Sequence, residues 1–468
     1  MAKLPKSDLQ KLGHVLASFD FHGWTEWIAD WGISRLLFLS VLYVSLLMVL
    51  ATQIPHLLLF ALGWLVGTAP IWLPIALIIS MYRVWIWYAR SNYIFKTETV
   101  LLEMKIPREI TKSPRAMETA LASFWMMSHE TTFLMRVFMG MVRPWYSLEI
   151  ASFGGEIHFY LWVWKAYQKM TEAHIYSQYP EIELHEVEDY SLKYAFDETK
   201  DTCYCTNWRL EGSGIDPTDP RINAYPIKTY VDLELDKDPK EEFKVDPLAN
   251  VLEFMGSIRP TQQMWIQIIF TAAYMTGTLV RRESTWKAVV EEEIQKVRLE
   301  SAIFPEVLPE QVSEERLKAA RPRGTWKQAE MLKTMERNLG KHPYDVGMRG
   351  ILISPSEEFD RTYWGLRWIW RPFANPQYMT QLRPRRGHNP FDYPWQDFHD
   401  MRWNWETRRQ IDAYRRRAFF YTPWETPYNI LTTEILASIW HPPSSSVKTP
   451  GVRRIDSVKS APPPNLPK

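Results

Sequence analysis

The reading of this chain turns on Trp145-Tyr-Ser-Leu-Glu-Ile-Ala-Ser-Phe153, Gly154-Gly155 and Glu156-Ile-His-Phe-Tyr-Leu-Trp-Val-Trp164. Both flanking runs are rich in β-branched and aromatic residues, and Gly-Gly supplies the positive φ that a two-residue turn demands, so the stretch predicts a β-hairpin. Working outward, Thr97 to Ile106 reads as a strand and Ser113 to Met127 as a helix, with Ser113 as cap and Pro114 at the first helical position. Lys165 to Tyr179 reads as a second helix and Glu181 to Glu188 as a fourth strand, whose alternation changes phase at His185-Glu186 and so predicts a bulge or the strand's end. Strand, helix, hairpin, helix, strand is the βαββαβ order of the ferredoxin-like split βαβ unit, placed here at residues 97–195.

Residues 196–225 hold Gly212, Gly214, Pro217 and Pro220 among Asp and Thr, and read as a loop-rich linker. A second α+β unit follows over 226–360, with strands expected at Tyr225 to Glu234, Gln263 to Thr271 and Val346 to Ser354 and helices at Pro247 to Ile258 and Thr325 to Leu339. Residues 284–321 interrupt it as a charged helical insertion, Glu291-Glu292-Glu293 followed by Lys296 and Arg298, whose sparse apolar positions predict a solvated or partner-facing arm. Residues 426–468, ending in Pro462-Pro463-Pro464 and Pro467, are expected as an extended, Pro-rich tail.

Between Arg35 and Arg83 lie 47 residues without Lys, Arg, Asp or Glu. One membrane crossing takes about 20 residues, so two crossings use the run and one or three do not. A two-pass transmembrane hairpin is therefore expected over 36–90, turning at Thr52 to His56 or, preferred for length, at Gly67 to Pro70. Lys3, Lys6, Lys11 and Arg35 before the run and Arg83, Arg90 and Lys96 after it place both ends in the cytoplasm, with residues 1–35 as an amphipathic cytoplasmic segment. Trp85, Trp87, Tyr88 and Tyr93 would form the inner aromatic belt. The fold class expected is thus α+β: two N-terminal transmembrane helices, then tandem ferredoxin-like domains with helical insertions.

The whole chain, 468 residues with 46% hydrophobic and 23% charged, excludes disordered, collagen-like and disulfide-scaffold classes. A net charge of +1 argues against a general nucleic-acid coat. The charge is nevertheless segregated: Arg361 to Ala418 holds twelve Arg, no Lys and five acids, interleaved with six Trp. Arg pairs with phosphate in bidentate fashion and stacks on aromatic rings, so this segment, 361–425, reads as a contact surface for another protein or copy, for lipid headgroups or for nucleic acid. The contact residues expected are Arg371, Arg383, Arg385, Arg386, Trp403, Trp405, Arg408, Arg409, Arg415, Arg416 and Arg417.

Motifs for chemistry are absent. The nearest phosphate-loop candidate, Gly340-Lys341, has Met335 where the first Gly belongs and His342 in place of Ser or Thr. No His-Glu-x-x-His pair and no Gly-x-Ser-x-Gly elbow occurs. Cys203 and Cys205 flank Tyr204 without a second pair to complete a zinc site, and read as ordinary thiols of a reducing compartment. No enzyme activity, metal or cofactor is expected.

Several phrases resemble one family: Val100-Leu-Leu-Glu-Met-Lys-Ile-Pro-Arg-Glu109, Ser147-Leu-Glu-Ile150, Gly154-Gly-Glu-Ile-His-Phe-Tyr160, Ile175-Tyr-Ser-Gln-Tyr-Pro180 and Glu186-Val-Glu-Asp-Tyr190. Asp246-Pro-Leu-Ala249, Gln263-Met-Trp-Ile-Gln-Ile268, Leu431-Thr-Thr-Glu434 and Ala437-Ser-Ile-Trp-His441 continue it in the same order. The chain is similar over 97–280 and 340–468 to the membrane-anchored N-terminal region of bacterial type IV secretion or conjugative DNA-transfer proteins of candidate-phyla bacteria, often fused to a HerA/TraD-like ATPase. The resemblance implies an inner-membrane protein with its bulk in the cytoplasm, working as a homo-oligomer beside ring ATPases. With no phosphate loop in the chain, it implies a stand-alone accessory part that docks a separate P-loop ATPase, with direct nucleic-acid binding as the alternative.

Overall fold

The fold is described from a computed structural model of the full chain. The structure describes residues 35–53, 55–108, 110, 112–126, 132–212, 214–216, 219–237, 245–273, 285–301, 324–377, 380–388, 395–444, 449 and 451–455. The expected N-terminal segment 1–35, save Arg35, the second half of the 284–321 insertion and the last Pro-rich residues lie outside them. The chain divides into two compact units, Met1–Val84 with Asn389–Trp405, and Trp85–His388 with Glu406–Lys468.

The uncharged run is cut into three helices, α1 (Arg35–Gln53), α2 (Pro55–Gly67) and α3 (Ala69–Lys96). Both punctuation points break the helix: Pro55 opens α2, and Thr68 bonds back to the Trp64 carbonyl at 2.8 Å just ahead of Pro70. Among the described residues one helix, α3, is long and apolar enough to cross a membrane. The expected two-pass hairpin is thus corrected to a single candidate span, because breaking at both sites leaves α2 only 13 residues long.

In the second unit, β1 (Thr99–Pro107), α4 (Pro114–Ala122), a short α5 (Phe133–Val137), β2 (Trp145–Phe153), β3 (Glu156–Trp164), α6 (Gln168–Gln178), β4 (Glu183–Val187) and a one-turn α7 (Tyr190–Lys193) follow in order. The hairpin closes as its glycines require: Phe153 pairs with Glu156, and Gly154 and Gly155 have φ of 59° and 94°. A Cβ on Gly154 would stand 2.6 Å from the Pro260 carbonyl oxygen, so the turn is also a close approach. Strand β4 ends at Val187, soon after the phase change.

Next come β5 (Asp201–Glu211), α8 (Leu248–Gly256), β6 (Gln263–Ala272), α9 (Thr285–Ser301), α10 (Trp326–Leu339), β7 (Pro343–Pro355), α11 (Thr362–Arg367), β8 (Gln381–Gly387), α12 (Met401–Arg415), β9 (Asn429–Thr432), α13 (Thr433–Ile439) and β10 (Arg454–Ile455). All ten strands among the described residues belong to one sheet, ordered β10-β1-β3-β2-β6-β7-β5-β8, with β4 also on β1 and β9 also on β7. Every pairing is antiparallel except the short β1–β10 contact.

This corrects the expectation of separate tandem domains. The seam is β2 against β6, in register from Trp145↔Thr271 to Phe153↔Gln263. Both strands are buried along nearly their whole length, so neither is built to stand at an exposed edge, and pairing them fuses the halves. The outer strand β8 carries Pro384 with Arg383 and Arg385, devices that suit an edge.

Four further expectations change. The 196–225 linker contains β5, a buried strand with Cys203, Cys205 and Trp208 inside. Tyr225 to Glu234 is no strand: its backbone closes on itself, Leu235 N–H to the Tyr230 carbonyl at 3.0 Å, with Glu234 at φ 55°. Of the insertion, α9 is a packed helix, burying Trp286, Val290, Ile294 and Val297 against Leu332 and Met335 of α10. Residues 426–468 are likewise no free tail up to His441, because β9 joins the sheet and α13 is buried through its whole length.

Candidate functional site

The 361–425 segment does not form one separate surface. Its first part enters the sheet. Trp370 is fully buried edge-on to Trp208, with centroids 5.8 Å apart. Arg371 and Arg383 lie over the Trp368 ring at 5.9 and 6.0 Å. Arg383 donates to Glu211 of the neighbouring β5 at 3.0 Å, and Arg385 pairs with the other oxygen of the same carboxylate. Arg386 pairs through its backbone with Asn207. Arg371, Arg383 and Arg385 remain at least partly exposed, with one acid between the last two.

Trp403 and Trp405 belong to the other unit, where Asp397 accepts from the Arg402 and Trp403 backbone N–H groups at 2.8 Å each and so opens α12. Trp405 is 62% exposed. Farther along, Arg408 pairs with Glu198 at 2.7 Å and Arg409 with Glu406 at 3.8 Å. Arg416 pairs with Asp412 at 2.9 Å and covers the Trp424 ring at 4.8 Å. Exposed pairs of this kind contribute little to stability and leave the cations available for contact.

Arg415 and Arg417 are different, and their expected contact role is corrected. Arg415 Nε donates to the Ser191 carbonyl at 3.0 Å, and its Nη2 to that of Tyr194. Arg417 is 1% exposed and bonds both Glu149 oxygens at 2.9 and 3.1 Å and the Asp189 carboxylate. Glu149 sits at the centre of β2 and also accepts from Ser147, Tyr190 and Gln267 at 2.8 to 2.9 Å. Burial opposes the charge on Arg417, yet the two carboxylates hold its pKa above the ordinary arginine value. Burial likewise opposes ionisation of Asp189, and the guanidinium nevertheless holds that carboxyl below its usual range. Beside this network Arg349 donates to the Ala418 carbonyl and lies 4.9 Å from the Phe419 ring; its own burial lowers it to about 9. Two arginines therefore staple residues 414–419 to the sheet. The signal was in the sequence: a Glu between Leu148 and Ile150 on a doubly buried strand needs a cation.

On the helix side a second set joins the buried acids Glu118 of α4 and Glu434 of α13 to the part-buried cations Arg337 of α10 and Lys341. Lys341 donates to Glu118 at 2.7 Å, and Arg337 to Glu434 at 3.0 Å and Asp232 at 2.5 Å. Tyr230 donates to Glu118, and Thr229 to Glu434 at 2.6 Å. Burial raises the Glu434 carboxyl above its usual range, against the pull of Thr229, Arg337 and Lys341. Lys341 is thus tied to acids, and Gly340 caps α10 rather than opening a phosphate loop. His441 faces two acceptors, Asp246 Oδ2 at 2.9 Å and the Ala437 carbonyl at 2.8 Å. Burial opposes its charge, but those acceptors hold the imidazole pKa above its ordinary value.

Two cavities open on the second unit. One, of about 380 Å³, is lined chiefly by Trp87, Phe95, Trp145, Phe420, Tyr421 and Trp424. The other, of about 370 Å³, lies where the 452–455 segment meets β1 and β3 and presents Glu103, His158 and Arg453. There His158 Nδ1 stands 2.7 Å from Glu103 Oε1. Cys203 and Cys205 are buried thiols, and burial pushes Cys203 up to about 12. Among the described residues no group of three or more His, Cys, Asp or Glu is placed to hold a metal ion. The chain matches no family model and no curated protein.

Proposed function

We propose that the chain is a non-enzymatic docking component of a type IV secretion-like or conjugative DNA-transfer system, anchored in a bacterial inner membrane through α3 and working beside a separately encoded P-loop ATPase. In this reading each half of the sheet is a ferredoxin-like unit. The order β4-β1-β3-β2 of the first half is repeated by β8-β5-β7-β6 in the second, each counted from its own first strand. One observation carries the reading: the buried Arg417 and His441 and the part-buried Arg337, with their acids, are committed to holding the body together, while more exposed cations such as Arg383, Arg385, Arg408 and Arg416 remain on its surface. That division suits a rigid platform presenting contacts.

The alternative, direct nucleic-acid binding, draws support from Arg371 and Arg383 over Trp368, an arrangement that can hold phosphate beside a stacked base. Tagged full-length protein recovered from membranes at low and high salt, with bound protein and DNA both identified, separates the two. A P-loop ATPase retained at high salt, and lost from an Arg408→Glu, Arg416→Glu variant, supports docking. DNA alone, released at high salt, refutes docking and favours the alternative.

A further inference from the structure

Phe133, Leu134, Phe138 and Met139 are four large apolar side chains within seven residues, exposed by 59, 54, 60 and 53%. Most other large apolar side chains exposed beyond residue 95 are more scattered, as at Leu192, Val245 and Trp326, and need no partner. Here they form one patch, with the Phe133 and Phe138 rings in edge contact at 6.2 Å. The patch is held against α3. Trp85 Nε1 donates to the Val137 carbonyl at 2.7 Å, and Val137 itself is buried. Gly140, at φ 64°, approaches so closely that a Cβ would stand 2.2 Å from the Ala89 carbonyl.

The level of that attachment along α3 says what covers the patch. The uncharged run ends at Tyr82; Trp85 and Ala89 come three and seven residues later on the same helix. At about 1.5 Å per residue these are roughly 4.5 and 10 Å along the axis. Interfacial helices bury their apolar faces at the headgroup–acyl boundary, and a crossing of about 20 residues counted from Ala69 ends near Tyr88, between those two residues. Trp85, Trp87 and Tyr88 lie at this level of α3, where aromatic residues favour the membrane interface, and Arg83 and Arg136 supply cations for lipid phosphates. We propose that residues 132–141 are a second membrane contact, with α5 and Phe138-Met139 resting in the headgroup–acyl boundary of the leaflet from which α3 emerges. The proposal rests on the reading that α3 crosses a membrane. The contact gives the sheet body a fixed orientation above the bilayer, which a single helix does not.

The test uses the full chain reconstituted in vesicles of phosphatidylcholine and phosphatidylglycerol. An environment-sensitive fluorophore is placed by Leu134→Cys, by Phe138→Cys as a second site in the patch, by Ile78→Cys on α3 and by Leu192→Cys on the body. Unsubstituted protein, with Cys203 and Cys205 buried, serves as the labelling blank. Nitroxide lipids should quench the labels at 134 and 138 as they quench that at 78, and aqueous iodide should quench them at least threefold less than that at 192. If 78 is lipid-exposed while 134 and 138 behave like 192, the anchor stands and the second contact is overturned. If 134 and 138 are shielded from iodide and from nitroxide lipid alike, a protein covers the patch and the proposal is overturned. If 78 behaves like 192, the anchor reading fails and takes the proposal with it.

Discussion

Replacing Arg417 by methionine probes the joint between residues 414–419 and the sheet. The substitution keeps an unbranched apolar stem but leaves Glu149, fully buried on β2, with no cation and Asp189 with its guanidinium partner gone. Removing one member of a buried ion pair costs about 3–5 kcal/mol, because the remaining charge stays desolvated. For a body melting as one unit of about 370 residues, with an unfolding entropy of about 2.1 cal/mol/K per residue, that is a fall in Tm on the order of 5 °C. Thermal unfolding of the full chain in detergent, followed by tryptophan fluorescence, reads it directly, since Trp162 lies 5.8 Å from the guanidinium. Adding Glu149→Gln to Arg417→Met removes the stranded charge while keeping an acceptor for Ser147 and Tyr190, and should restore at least a third of the loss. A single variant within about 1 kcal/mol of the parent, or a double variant no better than the single, would refute the account of a charge-locked joint. Asp189 adds a sign: its folded pKa is depressed, so its contribution is complete above the ordinary Asp value of about 3.9 and is lost only as pH falls below it.

Three more outcomes are expected. His441 has a folded pKa raised above its ordinary value of about 6.5, so its contribution is complete below that pH and is lost as pH rises through the folded pKa; the parent should lose more Tm between pH 6 and 9 than a His441→Gln variant, and equal losses would sink the assignment. Cys203 and Cys205 should resist an aromatic disulfide reagent at pH 8 in the folded chain and both react in denaturant; rapid reaction of the native protein contradicts their burial. Gly347→Ala would place a Cβ 2.4 Å from the Phe419 ring and should destabilise the body by about 1–3 kcal/mol, measured by urea unfolding; a neutral effect would mean that the 414–419 segment is not packed as described.

How much was legible in the sequence depended on whether the signal was local. The Gly154-Gly155 hairpin, the Pro114 helix start and the uncharged run are written in neighbouring residues, and each is found at its place. Asp201–Glu211 falls in a window, 196–225, that reads as linker because the Gly and Pro residues after it dominate, although its own residues include Tyr204, Thr206 and Trp208 in a buried strand. Tyr225 to Glu234 has strand-like composition, but Tyr225, Ile227, Thr229 and Tyr230 are buried and the chain turns there instead of pairing. In α9 the apolar residues at 286, 290, 294 and 297 are few, yet one stripe suffices for a helix packed against α10 and the 220–225 turn.

The sequence by itself determined the α+β class, the position of the uncharged apolar run and the concentration of arginine and tryptophan between residues 361 and 418, all properties of composition and short-range periodicity. Only the tertiary structure decided that β2 and β6 join two strand sets into one sheet and which arginines face inward. The physical reason is the same in each case. Whether Arg417 meets solvent or Glu149, 268 residues away in the chain, is fixed by pairings of high sequence separation, and no local preference of either residue encodes them.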